Sequence, residues 1–339
     1  MLPKNRIIVT VTATKYTYTP GEYCRFAEEY LRMPDVKSES SVTWKLDRIE
    51  AHCVPVPDKD KTYFIKVAEK TSAPRVQLSP DGLLLAVNDQ IEYQPLEQPT
   101  PIQKAEKKRL SPEDYYTQDI IRAASATATA RLIAEEIYQV REKRSELTGG
   151  ELENMPKDGA SMELMLRELA DQEEALTSVF SGTTESEQQQ VTFVVEPDAE
   201  VAEKVLFRFS QKLGIVDEEN MAGSPVYYSL KSKHTVPDKT PRTEEDRKRV
   251  EKKQKEAEKR AAKGESLLME GVVYNVPERV DFSVYTPQQK ILSAEYKVAQ
   301  LGNTDVLLNE LFNKKSTFHV TFNQNDGSIL KVWKEEEKK

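Results

Sequence analysis

The sequence predicts an α+β protein in which two β-rich, mainly antiparallel regions are separated by a long antiparallel helical hairpin. Two observations carry this. Apolar residues alternate with period two before residue 90 and again after residue 270, as half-buried strands require. Between them, residues 111–181 hold two apolar stripes at steps of three and four residues, joined through Gly149-Gly150. The length of 339 residues fits two or three domains. They are drawn as an N-terminal β-rich domain with one short helix at 1–104, the hairpin at 105–182, and a C-terminal β-rich domain at 183–339 with a charged helical insertion near 241–263.

Arg6 to Tyr18 alternate, with Ile7, Val9, Val11 and Ala13 on one parity and Thr10, Thr12 and Thr14 on the other. Pro20-Gly21 ends this strand. A short helix fits Glu22 to Arg32, because Tyr23, Phe26, Ala27, Tyr30 and Leu31 recur at helical spacing and Pro34 closes the run. Cys24 lies on it. Val42 to Val54 reads as a second strand whose apolar parity switches from Trp44 and Leu46 to Ile49, Ala51 and Cys53, which predicts a bulge or a change of partner. A strand fits Thr62 to Val67, and Arg75 to Asn88 forms a hairpin folded by Ser79-Pro80-Asp81-Gly82. Pro95, Pro99 and Pro101, followed by the basic run Lys104 to Arg109, read as a linker.

Ser111 as N-cap, Pro112 at the first helical position, and Glu113 with Asp114 in the first turn start a helix that nothing interrupts before Gly149-Gly150. Some 35 residues would span about 50 Å. Its stripe is Ala126, Ala130, Ile133, Ile137 and Val140. The partner helix, Ala160 to Phe180, presents Met162, Leu166, Leu169, Leu176 and Phe180, with only Glu173 interrupting; the two stripes are expected to bury each other. A polar link after Ser181-Gly182 leads to short strands at Val191 to Val195, Val205 to Phe209 and Val226 to Leu230. From Gly271, alternation returns in Val280, Phe282 and Val284, in Leu292, Ala294, Tyr296 and Val298, and in Phe318, Val320 and Phe322. Asn325-Asp326-Gly327 then turns a last hairpin toward Ile329 to Trp333.

Against 57 acidic residues, 49 basic ones leave a net charge of −8, the wrong sign for wrapping nucleic acid through counterion release. The tract at 242–263 departs from this balance, with ten basic residues against six acidic. Its Glu-to-Lys and Glu-to-Arg steps of four favour a solvated helix; anion or nucleic-acid binding is the weaker reading. No apolar run approaches the roughly 20 residues of a membrane-spanning helix.

No CxxC, HExxH, GxGxxG, GxxxxGK[ST] or GxSxG spacing occurs, so no catalytic, cofactor-binding or metal-ligating residue is assigned. Cys24 and Cys53 allow either one disulfide or two free thiols. His52 and Cys53 are neighbours on a strand and point to opposite faces. His319 shares a parity with Thr317 and Thr321, and His234 falls in a charged stretch. The carboxylate pairs Glu28-Glu29, Glu135-Glu136 and Glu173-Glu174 read as solvated helix faces. An enzymatic alternative remains: a hydrolase assembled from distant residues, with Cys24 as nucleophile and His52 or His319 as base.

Four phrases stand out as a set: Tyr18-Thr19-Pro20-Gly21-Glu22-Tyr23-Cys24-Arg25-Phe26-Ala27, Asn154-Met155-Pro156-Lys157-Asp158-Gly159, Asp171-Gln172-Glu173-Glu174-Ala175-Leu176, and Phe180-Ser181-Gly182-Thr183. In these the chain resembles an uncharacterised bacterial family, domain of unknown function 4831. Its members look like exported envelope proteins whose signal is followed by a segment similar to Leu2-Pro3-Lys4. The resemblance implies a periplasmic or envelope location, with the cytoplasm as alternative, and implies no activity, cofactor or site residue. The functional expectation is a non-enzymatic binding or structural module whose hairpin organises two β-rich regions. Its partner would be a protein or envelope component meeting exposed sheet edges or hairpin flanks.

Overall fold

The computed structural model describes residues 1–63, 75–93, 110–150, 159–237, 271–308, 312–313 and 316–334. The architecture is α+β, with antiparallel sheets and a helical hairpin between β-rich regions. The linker expected at 95–109, the charged tract at 241–263 and most of the strand expected at 62–67 lie outside those residues.

Strand β1 (Pro3–Thr19) has 17 residues, roughly 56 Å at 3.3 Å per residue. Ile7, Val9, Val11 and Ala13 are fully buried along one face. Strand β2 (Ser41–Pro57) pairs with β1 antiparallel, with one register shift: Thr12 faces Arg48 while Ala13 faces Leu46, so Asp47 is the extra residue. That bulge accounts for the switched parity. Leu46 on one side of it, and Ile49, Ala51 and Cys53 on the other, all reach the same core.

On the other side of β1, strand β5 (Thr183–Val195) completes a three-stranded sheet. The polar link expected after Gly182 is therefore a strand, with Thr183 to Gln190 paired residue by residue against Thr19 to Thr12. All eight of those side chains are exposed, so main-chain bonds to β1, not side-chain burial, set the extended form. Since β1 is the middle strand, Thr10 lies between Glu50 and Thr192, and Thr12 between Arg48 and Gln190. Both threonines are buried, although their parity reads as a solvated face.

The second sheet has the order β10-β9-β8-β6-β7, comprising β6 (Val201–Ser210), β7 (Gly214–Val216), β8 (Ser224–Ser232), β9 (Gly271–Tyr285) and β10 (Lys290–Leu308). It packs face to face on the first. Ile7, Val9, Val11 and Ile49 meet Phe207, Leu230, Phe282 and Val284 in one continuous core. The third sheet holds the expected hairpin, β3 (Val76–Leu78) with β4 (Leu84–Val87), and the C-terminal strands β11 (Phe312–Asn313), β12 (Ser316–Phe322) and β13 (Ile329–Lys334). Leu84, Val87, Val320 and Phe322 carry it onto Val272 of β9. Thus β5 joins the N-terminal strand β1, and β4 joins the C-terminal strand β12, across the hairpin.

All three sheets meet around two buried amides. Pro277 in β9 offers no N–H to β10, and the ladder breaks there. Glu278 pairs with Val298 and Val276 with Asn303, so residues 299–302 loop out. Gly302 allows the close return, since a Cβ there would lie 2.1 Å from the Val276 carbonyl oxygen. The loop turns to β1. Ala299 N–H donates to Asn5 Oδ1 (2.8 Å), Gln300 Nε2 to the Asn5 carbonyl (2.6 Å), and Asn5 N–H to Gln300 Oε1 (2.9 Å). Asn5 Nδ2 donates to the Asn325 carbonyl at 2.8 Å, and Asn275 Nδ2 to the Pro3 and Asp326 carbonyls at 2.9 Å. Nearby, the buried Glu278 carboxylate accepts from Thr235 N–H, the Thr235 hydroxyl and Val236 N–H at 2.8, 2.9 and 2.8 Å.

The helices correct one expectation. In place of an unbroken 35-residue helix there is a 3₁₀ turn at Pro112–Tyr115, then α2 (Gln118–Arg122), then α3 (Ala126–Gly149); α1 (Ala27–Leu31) precedes them, after a 3₁₀ turn at Cys24–Phe26. Thr117 and Ser125 cause the breaks: their hydroxyls accept from Ile120 N–H and Ala128 N–H, holding the chain extended at each new helix start. Ser111, read as N-cap, makes no side-chain cap bond. Helix α4 (Gly159–Ser181) is the expected partner. Ala130, Ile133 and Ile137 meet Leu176 and Phe180 as predicted, but Tyr23, Ala27, Leu31 and Ile120 fill the same core, and Ala126 is exposed. Glu173, read as solvated, accepts from Arg141 at 2.7 Å and Arg144 at 2.6 Å and cross-braces the hairpin.

Replacing Asn5 by Ala strands the buried Ala299 N–H and removes the donor to the Asn325 carbonyl; a loss of about 1–3 kcal/mol, read as a lower urea midpoint, is expected. For Glu278, burial acts to raise the pKa, but the Thr235 and Val236 donors outweigh it and hold it below the usual carboxylate value. Its contribution to stability is therefore complete above the unfolded carboxylate pKa and is lost as pH falls through the lowered folded value. Glu278→Gln should be less stable at neutral pH and lose less than the wild type on acidification, as urea titrations at both pH values will show.

Candidate functional site

The residues weighed for chemistry stand apart. Cys53 faces Ile7 and His52 faces Ile8, near the start of β1, with the two side chains on opposite faces as expected. Cys24 follows the far end of β1, and the twelve steps from Ile7 to Thr19 cover roughly 40 Å. Both cysteines are free thiols, too distant to bridge. His319 sits on β12 of the third sheet, its ring stacked 3.9 Å from that of Trp333, and His234 is exposed after β8, 4.0 Å from Glu200. Cys24 therefore meets neither His52 nor His319. Among the described residues, no three His, Cys, Asp or Glu side chains gather as metal ligands would, and no helix is long and apolar enough to cross a membrane.

What the fold does assemble lies where β1 runs into the helices. Tyr23 N–H donates to the Val179 carbonyl at 2.8 Å, and the Tyr23 ring packs on Phe180. Gly182 turns α4 into β5 at φ +75°, where a Cβ would lie 2.4 Å from the Thr19 carbonyl oxygen. The phrases around Tyr18 to Ala27 and Phe180 to Thr183 thus meet at one crossing. Beside it a cavity of about 640 Å³ opens on the outer face of the first sheet. Tyr16 and Tyr18 of β1, Thr43 of β2 and Thr184 of β5 line its floor, and Met33 to Lys37 form its roof. The Tyr18 hydroxyl sits 2.8 Å from the Lys37 carbonyl and 2.9 Å from that of Ser181, so one proton is shared between roof and helix end. Burial, with Cys24 nearby, raises the Tyr18 pKa and keeps it a neutral donor.

From the rim of this cavity β5 runs away as the edge of the sheet. Among the described residues nothing pairs with its outer side. Natural edge strands are ordinarily blunted by charged side chains, lysine above all, by proline, by bulges or by brevity. β5 has 13 residues, no lysine, no proline and no register shift against β1, and its charged residues are the two glutamates Glu185 and Glu187. Alternation of side chains could not reveal it, because Thr183 to Gln190 is polar throughout; the one sequence signal is the long stretch without Pro, Gly or Lys.

The described residues form a β-sandwich braced by a helical hairpin, with β5 at the edge of the first sheet and a cavity at its base. The chain belongs to the family described as domain of unknown function (DUF4831), whose model matches residues 1–330. No curated protein and no solved structure matches it.

The environments of the two thiols make a direct test of the geometry. Burial pushes the Cys53 thiol up to about 11, against a hydrogen bond with Asn5; at pH 8 roughly one in a thousand molecules carries the thiolate. Cys53 in the native protein is expected to alkylate with iodoacetamide at least about tenfold more slowly than in urea, as mass spectrometry of the labelled peptides will show.

Proposed function

We propose that this protein is a non-enzymatic binding module that recruits a partner protein by main-chain pairing along the edge of β5 that no described strand covers. One observation carries the reading: an edge of 13 residues, with no lysine, proline or register shift, has its N–H and C=O groups aligned for an added strand. The cavity beside Thr184 gives such a strand a place for an apolar side chain at one end, where register would be set. The hairpin serves as a buttress. It locks one end of the β1–β5 ladder through Tyr23, Val179 and Gly182, and a rigid edge loses less entropy on binding than a mobile one.

Location in the periplasm or cell envelope is part of the proposal and is supported by the resemblance to exported envelope proteins. Detection of the native protein in the cytoplasmic fraction of its source cells would count against that part alone.

The edge is tested with a photo-crosslinking amino acid at Gln188, in cells that express the protein naturally. A discrete adduct is expected. Lysines at Ser186 and Gln190 should abolish it while changing stability by less than about 1 kcal/mol. An adduct that survives both lysines, or none with the parent chain, rejects the reading; one of twice the chain mass identifies a second copy as the partner.

A further inference from the structure

We infer that the solvent face of the second sheet carries a binding trough for a neutral saccharide. The strand register builds it. On the face turned away from the core, Tyr227 of β8 lies opposite Tyr285 of β9, Ser229 lies opposite Ser283 and Ser293, and Lys231 lies opposite Asp281 and Glu295. A row of small side chains therefore runs between a row of rings and a row of long charged ones. The result is a cavity of about 520 Å³, within the size range of small-ligand sites. Ser229 and Ser283 lie at its bottom, 7% and 8% exposed, and the turn after β9 closes one end with Gln288.

The chemistry of the walls selects the ligand class. Ser283 and Ser293 hydroxyls stand 3.5 Å apart, the outer limit of a hydrogen bond, so each keeps donor and acceptor capacity for a bound molecule. Tyr285 stacks on Tyr227 with ring centres 5.8 Å apart, and its hydroxyl donates to Glu203 Oε2 at 2.9 Å, which fixes the ring upright. An immobile ring beside a floor of hydroxyls suits a molecule with apolar C–H faces and hydroxyl edges. Lys231, Lys290 and Asp281 stand on its walls, so both signs of charge flank the floor and a ligand hydroxyl, which donates and accepts, meets partners of either kind. Strands β8 and β9 are both interior, so an extended peptide finds no unpaired main-chain groups here. A lipid would set its chains against serines. The trough is on a different sheet from β5, so the fate of either reading leaves the other standing.

The test uses the full chain, labelled with nitrogen-15 and titrated with three neutral trisaccharides, maltotriose, cellotriose and chitotriose, up to about 10 mM. At least one is expected to shift the amide resonances of Ser229, Ser283 and Gln288 with a Kd of about 0.1–1 mM. Tyr285→Ala should weaken binding about tenfold or more, and Gln288→Ala, on the exposed turn where folding is not at stake, about threefold. No shift at these residues with any of the three sugars overturns the inference. So does a stronger response to a sugar phosphate or to an extended octapeptide, or full binding by both variants.

Discussion

The amide knot around Asn5 and Asn275 is the constraint on which the three sheets depend. Each sheet alone has a free face or a short strand, and strands β3 and β4, of three and four residues, could not stand unaided. The knot supplies their common geometry: Asn5 from the first sheet, Asn275 with Ala299 and Gln300 from the second, and the carbonyls of Asn325 and Asp326 from the turn of the third. Buried amides bond only in fixed directions, so they specify one arrangement where apolar packing would tolerate several. Its origin is a proline. Pro277 removes one ladder bond from β9, and the released residues of β10 turn their main chain to Asn5.

At the other end of β1 the constraint is of a different kind. There the helices meet the sheet by apolar packing and close main-chain approach, through Tyr23, Val179, Phe180 and Gly182. The hairpin does more than bury its own stripes. It shares its core with α1 and α2, so the strand-to-helix crossing after Thr19 and the helix-to-strand turn before Thr183 are held as one unit. Fixed at this end by the helices and at the other by the knot, β1 carries β5 along its whole length in unbroken register.

Much of this was legible in the residues. The parity switch in β2 predicted a bulge or a change of partner, and the structure shows a bulge at Asp47. The β3–β4 turn, the hairpin pairing of Ile133 and Ile137 with Leu176 and Phe180, and the opposed faces of His52 and Cys53 followed from spacing. The broken helix did not, because Thr117 and Ser125 are tolerated within helices as well as at their caps, and only the docking of Ile120 decides between the two. Glu173 looked solvated because its partners, Arg141 and Arg144, lie on another helix. The β5 edge and the serine trough were invisible for a common reason: each is a relation between strands, set by register, with no pattern within one strand to announce it.

The sequence by itself determined the α+β class, the inner part of the hairpin's stripes, Ala130, Ile133 and Ile137 with Leu176 and Phe180, and most strand parities, since local periodicity dictates which face of each element is apolar. Tertiary structure alone decided which strands are neighbours: β1 beside β5, β4 beside β12, and the looped residues of β10 against Asn5. Those pairings rest on main-chain hydrogen bonds and buried amides between residues hundreds of positions apart, and a main-chain group is identical at every position, so it leaves no mark in the order of side chains.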